Sequence, residues 1–79
     1  MTLQKLKSKL VSINQTGYGH WRVTFERYGR EISGITTNSL AIDRINSEDY
    51  ESAYQPTRFY TTVKQAYSDL YNEVVRANK

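Results

Sequence analysis

The segment His20–Thr37 (HWRVTFERYGREISGITT) constrains the fold more than any other part of the chain. In its first half Trp21, Val23 and Phe25 alternate with polar residues, which is typical of a β-strand with one buried and one exposed face. Gly29 then supplies the positive φ that a tight hairpin turn requires. The segment therefore predicts two antiparallel strands joined by a turn: His20–Arg27 and Arg30–Thr37.

The second of these strands is less regular. Ile32 and Ile35 have opposite parity, so a regular strand buries only one of them. Gly34 lies between the two isoleucines, and glycine inside a strand often marks an irregularity. We therefore predict a β-bulge near Ser33-Gly34 that brings Ile35 back to the inner face of the sheet.

An additional strand precedes the hairpin. Val11 and Ile13 alternate with polar residues, which predicts a strand over Lys9–Thr16. The glycine-rich sequence Gly17-Tyr18-Gly19 predicts the turn that follows it. Residues 2–8 fit two structures, because their leucines have helical spacing while their lysines alternate as in a charged edge strand.

Two helices are predicted after the sheet. The N-cap residues Thr37-Asn38-Ser39 open a short helix over Ser39–Ile45, and residues 47–57 form a loop. Arg58–Tyr60 is either a fourth, edge strand or the lead-in to the last helix. That helix is expected to begin at the capping box of Thr62 and Gln65. Its apolar stripe recurs at spacings of three and four: Val63, Tyr67, Leu70 and Val74.

These elements predict a single α+β domain over residues 1–79. A three-stranded antiparallel meander is covered on one face, the face of Trp21, Val23 and Phe25, by the short helix and the long C-terminal helix. A chain of 79 residues buries only about 60% of the surface of its unfolded form, so we expect modest stability.

Residue types that carry catalysis are scarce. The chain has no cysteine and one histidine, His20, so neither a thiolate nor a cluster of metal-ligating side chains is expected. The acids Glu48, Asp49 and Glu51 lack the spacing of a calcium loop, and the glycines lack that of a phosphate loop. No apolar run approaches the length of a membrane span. We therefore expect no enzyme, cofactor, metal, small-molecule substrate or membrane partner, and a cytoplasmic location.

The charge distribution favours a polyanion partner at the hairpin half of the chain. Residues 1–40 carry six basic and two acidic side chains, whereas residues 41–79 carry five basic and six acidic ones. Arginine binds guanine edges, lysine and threonine bind phosphates, and small sheets fit the major groove. Glu26 and Glu31 oppose this binding. The first hypothesis is nucleic-acid binding through the exposed sheet face by Lys7, Lys9, His20, Arg22, Thr24 and Arg30.

Seven tyrosines favour a second hypothesis, a protein-interaction module that binds a host protein or another copy of itself. An exposed strand edge could accept another strand. The residues expected to carry this interaction are Tyr50, Tyr54, Arg58 and Tyr60. The sequence leaves open whether the partner is DNA, RNA or protein, and which oligomer forms.

Two resemblances bear on these hypotheses. The Trp21–Phe25 strand, the turn at Gly29 and the helix start at Thr37 resemble AP2-type and phage-integrase arm-binding modules over Lys9–Ile45. That resemblance implies a three-stranded sheet in the major groove of DNA. Segments at Gly17–Trp21, Thr36–Asp43 and Leu70–Val74 resemble small uncharacterised proteins of phages and mobile elements of gut bacteria. This second resemblance implies a bacterial cytoplasmic or phage setting and carries no known activity.

Overall fold

The structure is a computed structural model that describes residues 2–47 and 56–79, with residues 56–61 described by their backbone. It confirms an α+β fold in which a three-stranded sheet carries helices on one face. The elements in chain order are α1 (Leu3–Lys9), β1 (Leu10–Gly17), β2 (His20–Arg27), β3 (Arg30–Thr36), α2 (Ser39–Asn46) and α3 (Pro56–Ala77).

The sheet is the predicted antiparallel meander, with strand order β1-β2-β3. In the β2–β3 pairing, Val23 lies opposite Gly34 and Phe25 opposite Ile32. Both tight turns are confirmed, and Gly19 and Gly29 adopt a φ of +74° at them. Short local connections of this kind follow from glycine at the positions where the chain must reverse.

The predicted parity of β2 is also confirmed. Val23 and Phe25 are 0% exposed, whereas Arg22 and Glu26, which precede and follow them on β2, are exposed. The side of the sheet that carries Val23 and Phe25 is called the inner face, and the opposite side the outer face. The three helices of the described residues all contribute to one buried cluster on the inner face, which includes Leu6, Ile42 and Leu70.

Residues 2–8, whose sequence fitted either a helix or a charged edge strand, form a helix. Thr2 is the N-cap of α1, because its hydroxyl accepts a hydrogen bond from the Lys5 N–H at 3.2 Å. Leu3 and Leu6 are buried against the other helices and the sheet. Burial of this leucine stripe determines the helix, since an extended chain would place the two leucines on opposite faces.

The predicted bulge in β3 is wrong. The β2–β3 register runs without a shift, and Ile35 lies opposite Arg22 with 49% of its surface exposed. The reason is the close approach of α3, because a Cβ at Gly34 would lie 3.4 Å from the Ala77 Cβ and from the Val74 Cα. Gly34 therefore faces inward to admit the helix, and Ile35 faces outward. The register shifts of the sheet lie in β1, at Leu10/Ser12 and Gln15/Gly17.

The start of the last helix also differs from the prediction. Helix α3 begins at Pro56, so Arg58–Tyr60 belongs to the last helix, and the alternative of a fourth, edge strand is wrong. The predicted capping box is wrong as well, because Gln65 lies inside the helix and its amide donates to the Asp69 carboxylate at 2.7 Å. Proline is favoured at the first helical position, where its missing N–H has no intrahelical partner.

Polar contacts cap helix α2 and join the residue after α3 to strand β3. Asn38 is the N-cap of α2, since its Oδ1 accepts from the Ala41 N–H at 3.2 Å. The residues of α2 that face the sheet are Ala41, Ile42 and Ile45, and all three are buried. Just after the end of α3, the Asn78 side-chain amide donates a hydrogen bond to the Ser33 carbonyl oxygen of β3 at 2.8 Å.

Candidate nucleic-acid interface

The structure divides the six predicted nucleic-acid contacts between two surfaces. His20, Arg22 and Thr24 alternate with the buried residues of β2 and therefore belong to the outer face. Lys7 and Lys9 belong to α1 and not to a neighbouring strand, which corrects the predicted placement. Arg30 lies opposite Arg27 and shares the parity of Ile32 and the inner face. The six residues therefore do not form one sheet-face surface.

The outer face is open but carries charges of both signs. Arg22 lies between Asn14 on β1 and Ile35 on β3. Four residues further along β2, Glu26 lies directly opposite Glu31, and both side chains are exposed. This pair of carboxylates would repel phosphate groups at that end of the face.

Thr24 is less accessible than its outward parity predicts. It is 8% exposed, because it lies on the central strand between Ser12 and Ser33. Its hydroxyl and the Ser33 hydroxyl are hydrogen-bonded at 2.8 Å. Thr24 therefore supports the sheet, and a phosphate contact would first have to break this bond.

The β2–β3 turn separates the two signs of charge by face. Glu26 and Glu31 lie on the outer face, whereas the next pair along the ladder, Arg27 and Arg30, has inner-face parity. Residues directly opposite each other in a hydrogen-bonded antiparallel pair have Cα atoms about 5.5 Å apart. The two arginine side chains therefore leave the backbone from neighbouring positions at the end of the hairpin.

Tyr28 completes this turn in an unusual conformation. Its φ is +53°, and Gly29 follows at +74°, which is the pattern of a type I′ turn. The ring is 88% exposed, and the Arg27 guanidinium carbon lies 4.9 Å from its centroid. This distance is within the range of a cation–π contact.

Helix α1 brings further positive charge to the same end of the molecule. Leu10 follows α1 directly and pairs with Phe25, so the C-terminal turn of α1 lies beside the end of β2. Lys7 and Lys9 occupy that last turn, where they also complement the helix dipole. The basic end is defined as the surface of Lys7, Lys9, Arg27, Tyr28 and Arg30.

Sequence reasoning missed Arg27 and Tyr28 as members of this surface. The signal was present, because a two-residue turn at Tyr28-Gly29 makes its flanking residues a cross-strand pair. Arg22 lies about 17 Å from Arg27, given five residues at roughly 3.3–3.4 Å each. The outer-face arginine and the basic end are therefore separate surfaces.

The alternative protein-interaction surface lies only partly within the described chain. Tyr50 and Tyr54 lie outside the described residues. Arg58 and Tyr60 belong to helix α3 and not to a strand edge. Within the described chain, the sheet edges belong to β1 and β3.

An open groove of about 650 Å³ lies between the start of α2 and the last turns of α3. Its polar lining carries both signs of charge, and it consists of Asn38, Asp69, Asn72, Glu73, Val75, Arg76 and Lys79. Glu73 is engaged there in a structural contact, because its Oε2 accepts a hydrogen bond from the Thr36 hydroxyl at 3.0 Å. The groove therefore shows no convergent set of polar groups directed at a ligand.

Residues 2–47 and 56–79 contain no group of three or more acidic or histidine side chains that could hold a metal ion. No helix in the described part of the chain combines the length and apolar character needed to cross a bilayer.

Comparison of the chain with protein-family models, with curated proteins and with solved structures gave no match.

Proposed function

We propose that this chain is a non-enzymatic module that binds nucleic acid, with the basic end as its principal contact with the phosphate backbone. The observation that carries the proposal is the cross-strand pair Arg27–Arg30, with Tyr28 beside it. An accessory protein of a phage or mobile element would have use for such a module, and this setting stays a prediction.

The arginine pair favours an anionic partner on electrostatic grounds. Like charges directly opposite each other in a sheet are destabilising by roughly 0.2–1 kcal/mol. A phosphate group between the two guanidinium groups removes that repulsion and accepts charge-assisted hydrogen bonds from both. Lys9 at the end of α1 adds a further positive charge beside the same strand end.

Tyr28 adds a contact suited to a base. The Arg27 guanidinium lies over the ring, and the 88% exposure of the residue leaves ring surface accessible. Stacking of a base on an aromatic side chain is worth about 1–3 kcal/mol and tolerates any sequence. The basic end therefore suits a single-stranded or unpaired segment, because a base within a duplex has no free face.

The test is a titration of labelled single-stranded and duplex DNA, and of single-stranded RNA, at several salt concentrations. Counterion release requires the affinity to fall steeply with salt. Arg30→Ala should reduce the slope of log affinity against log salt by about one. Arg22→Ala is the matched control, because it removes the same charge from the outer face and should leave the slope unchanged.

Two results would contradict the proposal. Absence of binding at low salt for all three nucleic acids would exclude nucleic-acid binding. A slope that changes with Arg22→Ala and not with Arg30→Ala would place the contact on the outer face, as the sequence predicted, and not on the basic end.

A further inference from the structure

We infer that the free edge of β1 pairs with β1 of a second copy of this chain, in an antiparallel arrangement that joins two sheets into one. This interface uses β1 and not the arginine pair or Tyr28 of the basic end, and it does not depend on nucleic-acid binding.

The β2–β3 turn fixes which backbone groups face the sheet edges. Residues that flank a two-residue turn form a hydrogen-bonded pair, so Arg27 and Arg30 bond each other. Alternation then leaves the N–H and C=O of Ser33 directed away from β2. The contact at this carbonyl agrees, since the Asn78 amide donates to it at 2.8 Å.

The same alternation determines the free groups of β1. The β2 residues that do not bond β3 include Arg22 and Thr24, which lie opposite Asn14 and Ser12. The N–H and C=O groups of Ile13 and Gln15 therefore point outward from the sheet. No other part of the described chain is hydrogen-bonded to them.

Among the described residues, the fold covers the β3 edge of the sheet more than the β1 edge. At β3, α3 packs against Gly34, and Asn78 occupies an outward carbonyl. At β1, the outward groups of Ile13 and Gln15 have no such cover from described residues. An edge strand with unpaired backbone groups is a template for another strand, and proteins protect such edges with charged side chains or bulges. The two register shifts of β1 leave the stretch Ser12–Gln15 regular between them, and this stretch carries no charge.

The sequence of β1 makes a second copy the fitting strand. All eight residues from Leu10 to Gly17 are uncharged, so two copies meet without like-charge repulsion. In an antiparallel pair, Lys9 of each copy lies beside the Gly17 end of the other copy and away from the other Lys9. The partly buried Ile13 and the 48% exposed Val11 gain cover in the pair.

Parity and register together limit the position of the two-fold axis. Residues directly opposite each other share a face, so the axis passes through a residue and not between two residues. Ile13 and Asn14 are the two central residues of Ser12–Gln15, the part of β1 between its two register shifts, and we place the axis at one of them. One strand edge gives a small interface, and we expect a weak dimer whose population rises with protein concentration.

The absence of cysteine permits a direct test of this pairing by cross-linking. Asn14→Cys and Ile13→Cys are oxidised in separate experiments. The residue on the two-fold axis lies opposite the same residue of the second copy, at a Cα separation of about 4.5–5.5 Å, which a disulfide spans. Glu31→Cys, exposed on the other edge strand, is the matched control. We expect one of the two β1 variants to give several-fold more covalent dimer than Glu31→Cys.

Sedimentation of the unmodified chain over a range of concentrations gives the second readout. The mass should approach double that of the monomer, and Gln15→Pro should abolish the increase because it removes an outward N–H without removing a bond to β2. Gln15→Ala keeps that N–H and should dimerise normally. Circular dichroism checks that Gln15→Pro is folded. A strict monomer, or β1 variants that cross-link no better than Glu31→Cys, would overturn the inference.

Discussion

Tyr28 is the residue at which local strain and proposed function meet. A non-glycine residue with a positive φ costs roughly 1–2 kcal/mol, and type I′ turns favour asparagine at this position. Tyrosine at a φ of +53° therefore lowers stability. Its exposed ring buries little apolar surface in return, which is consistent with a binding role for the ring.

We predict that Tyr28→Asn raises the free energy of unfolding by about 0.5–1 kcal/mol and weakens nucleic-acid binding. Denaturant unfolding measures the first effect and a titration with single-stranded DNA the second. Tyr28→Phe is the matched control, because it keeps the ring and the strain and should change neither quantity appreciably. Unchanged affinity in Tyr28→Asn would show that the ring makes no contact with the nucleic acid.

Gly34 shows how one residue fixes the distance between β3 and α3. The space beneath its missing side chain ends at Val74 and Ala77, with contacts at 3.4 Å for an added Cβ. That distance accommodates a methyl group but not the branches of a valine side chain. Overfilled contacts of this kind typically cost about 1–3 kcal/mol.

We predict that Gly34→Val lowers the free energy of unfolding by about 1–3 kcal/mol, while Gly34→Ala is tolerated. Gly17→Val is the matched control in the same sheet, because a Cβ at Gly17 meets nothing within 4 Å. Urea unfolding of the three variants measures the differences. Equal loss in Gly34→Val and Gly17→Val would mean that contact with α3 is not the cause.

At the scale of elements, Thr36 joins one strand to two helices. This residue is 2% exposed, and its hydroxyl donates to the Glu73 carboxylate of α3 at 3.0 Å. The same hydroxyl oxygen accepts from the N–H of Asn38, the N-cap of α2, at 3.0 Å. Loss of the hydroxyl therefore leaves both a backbone donor and a carboxylate without this partner.

We predict that Thr36→Val lowers the free energy of unfolding by about 1–3 kcal/mol, although valine has nearly the same shape. Thr37→Val is the matched control, since the neighbouring Thr37 is exposed and should change stability little. Thermal or urea unfolding measures both. A neutral Thr36→Val would show that water replaces the hydroxyl at little cost.

The elements that the sequence predicted correctly are those whose signals are local. Alternation in β2, glycine at the turns and the N-cap residues before α2 each act within a few residues. Ile35 was misplaced because its environment depends on α3, which lies far along the chain and packs against Gly34. The start of α3 was misplaced because Thr62 and Gln65 have the sequence of a cap but lie inside a longer helix.

At the scale of the whole molecule, the candidate site depended on register, which residue types alone do not reveal. Lys7, Lys9 and Arg30 were predicted together with Arg22, and the fold places them on a different surface. The two-residue turn that contains Gly29 determines the position of Arg30 and can be recognised in the sequence. The helix at residues 2–8 depends on burial of its leucines, which the local sequence does not reveal. The net charge of +3 therefore says less about binding than its distribution between the faces of the hairpin.

That distribution gives the last prediction, which concerns Glu26 and Glu31. They lie beside the arginine pair, on the opposite face of the same strand ends. Neutralising both as Glu26→Gln/Glu31→Gln should raise the affinity for nucleic acid at low salt, because the potential around the basic end becomes more positive. It should also stabilise the fold by about 0.2–1 kcal/mol, since it removes a like-charge cross-strand pair.

Asp43→Asn/Asp69→Asn is the matched control for this variant, because it makes the same change in net charge at exposed positions on α2 and α3. The affinity should rise less in the control, since charges beyond the Debye length of about 10 Å at 0.1 M salt are screened. Titrations at low and moderate salt measure the difference. Equal gains in the two variants would mean that net charge, and not the position of the carboxylates at the hairpin end, governs the interaction.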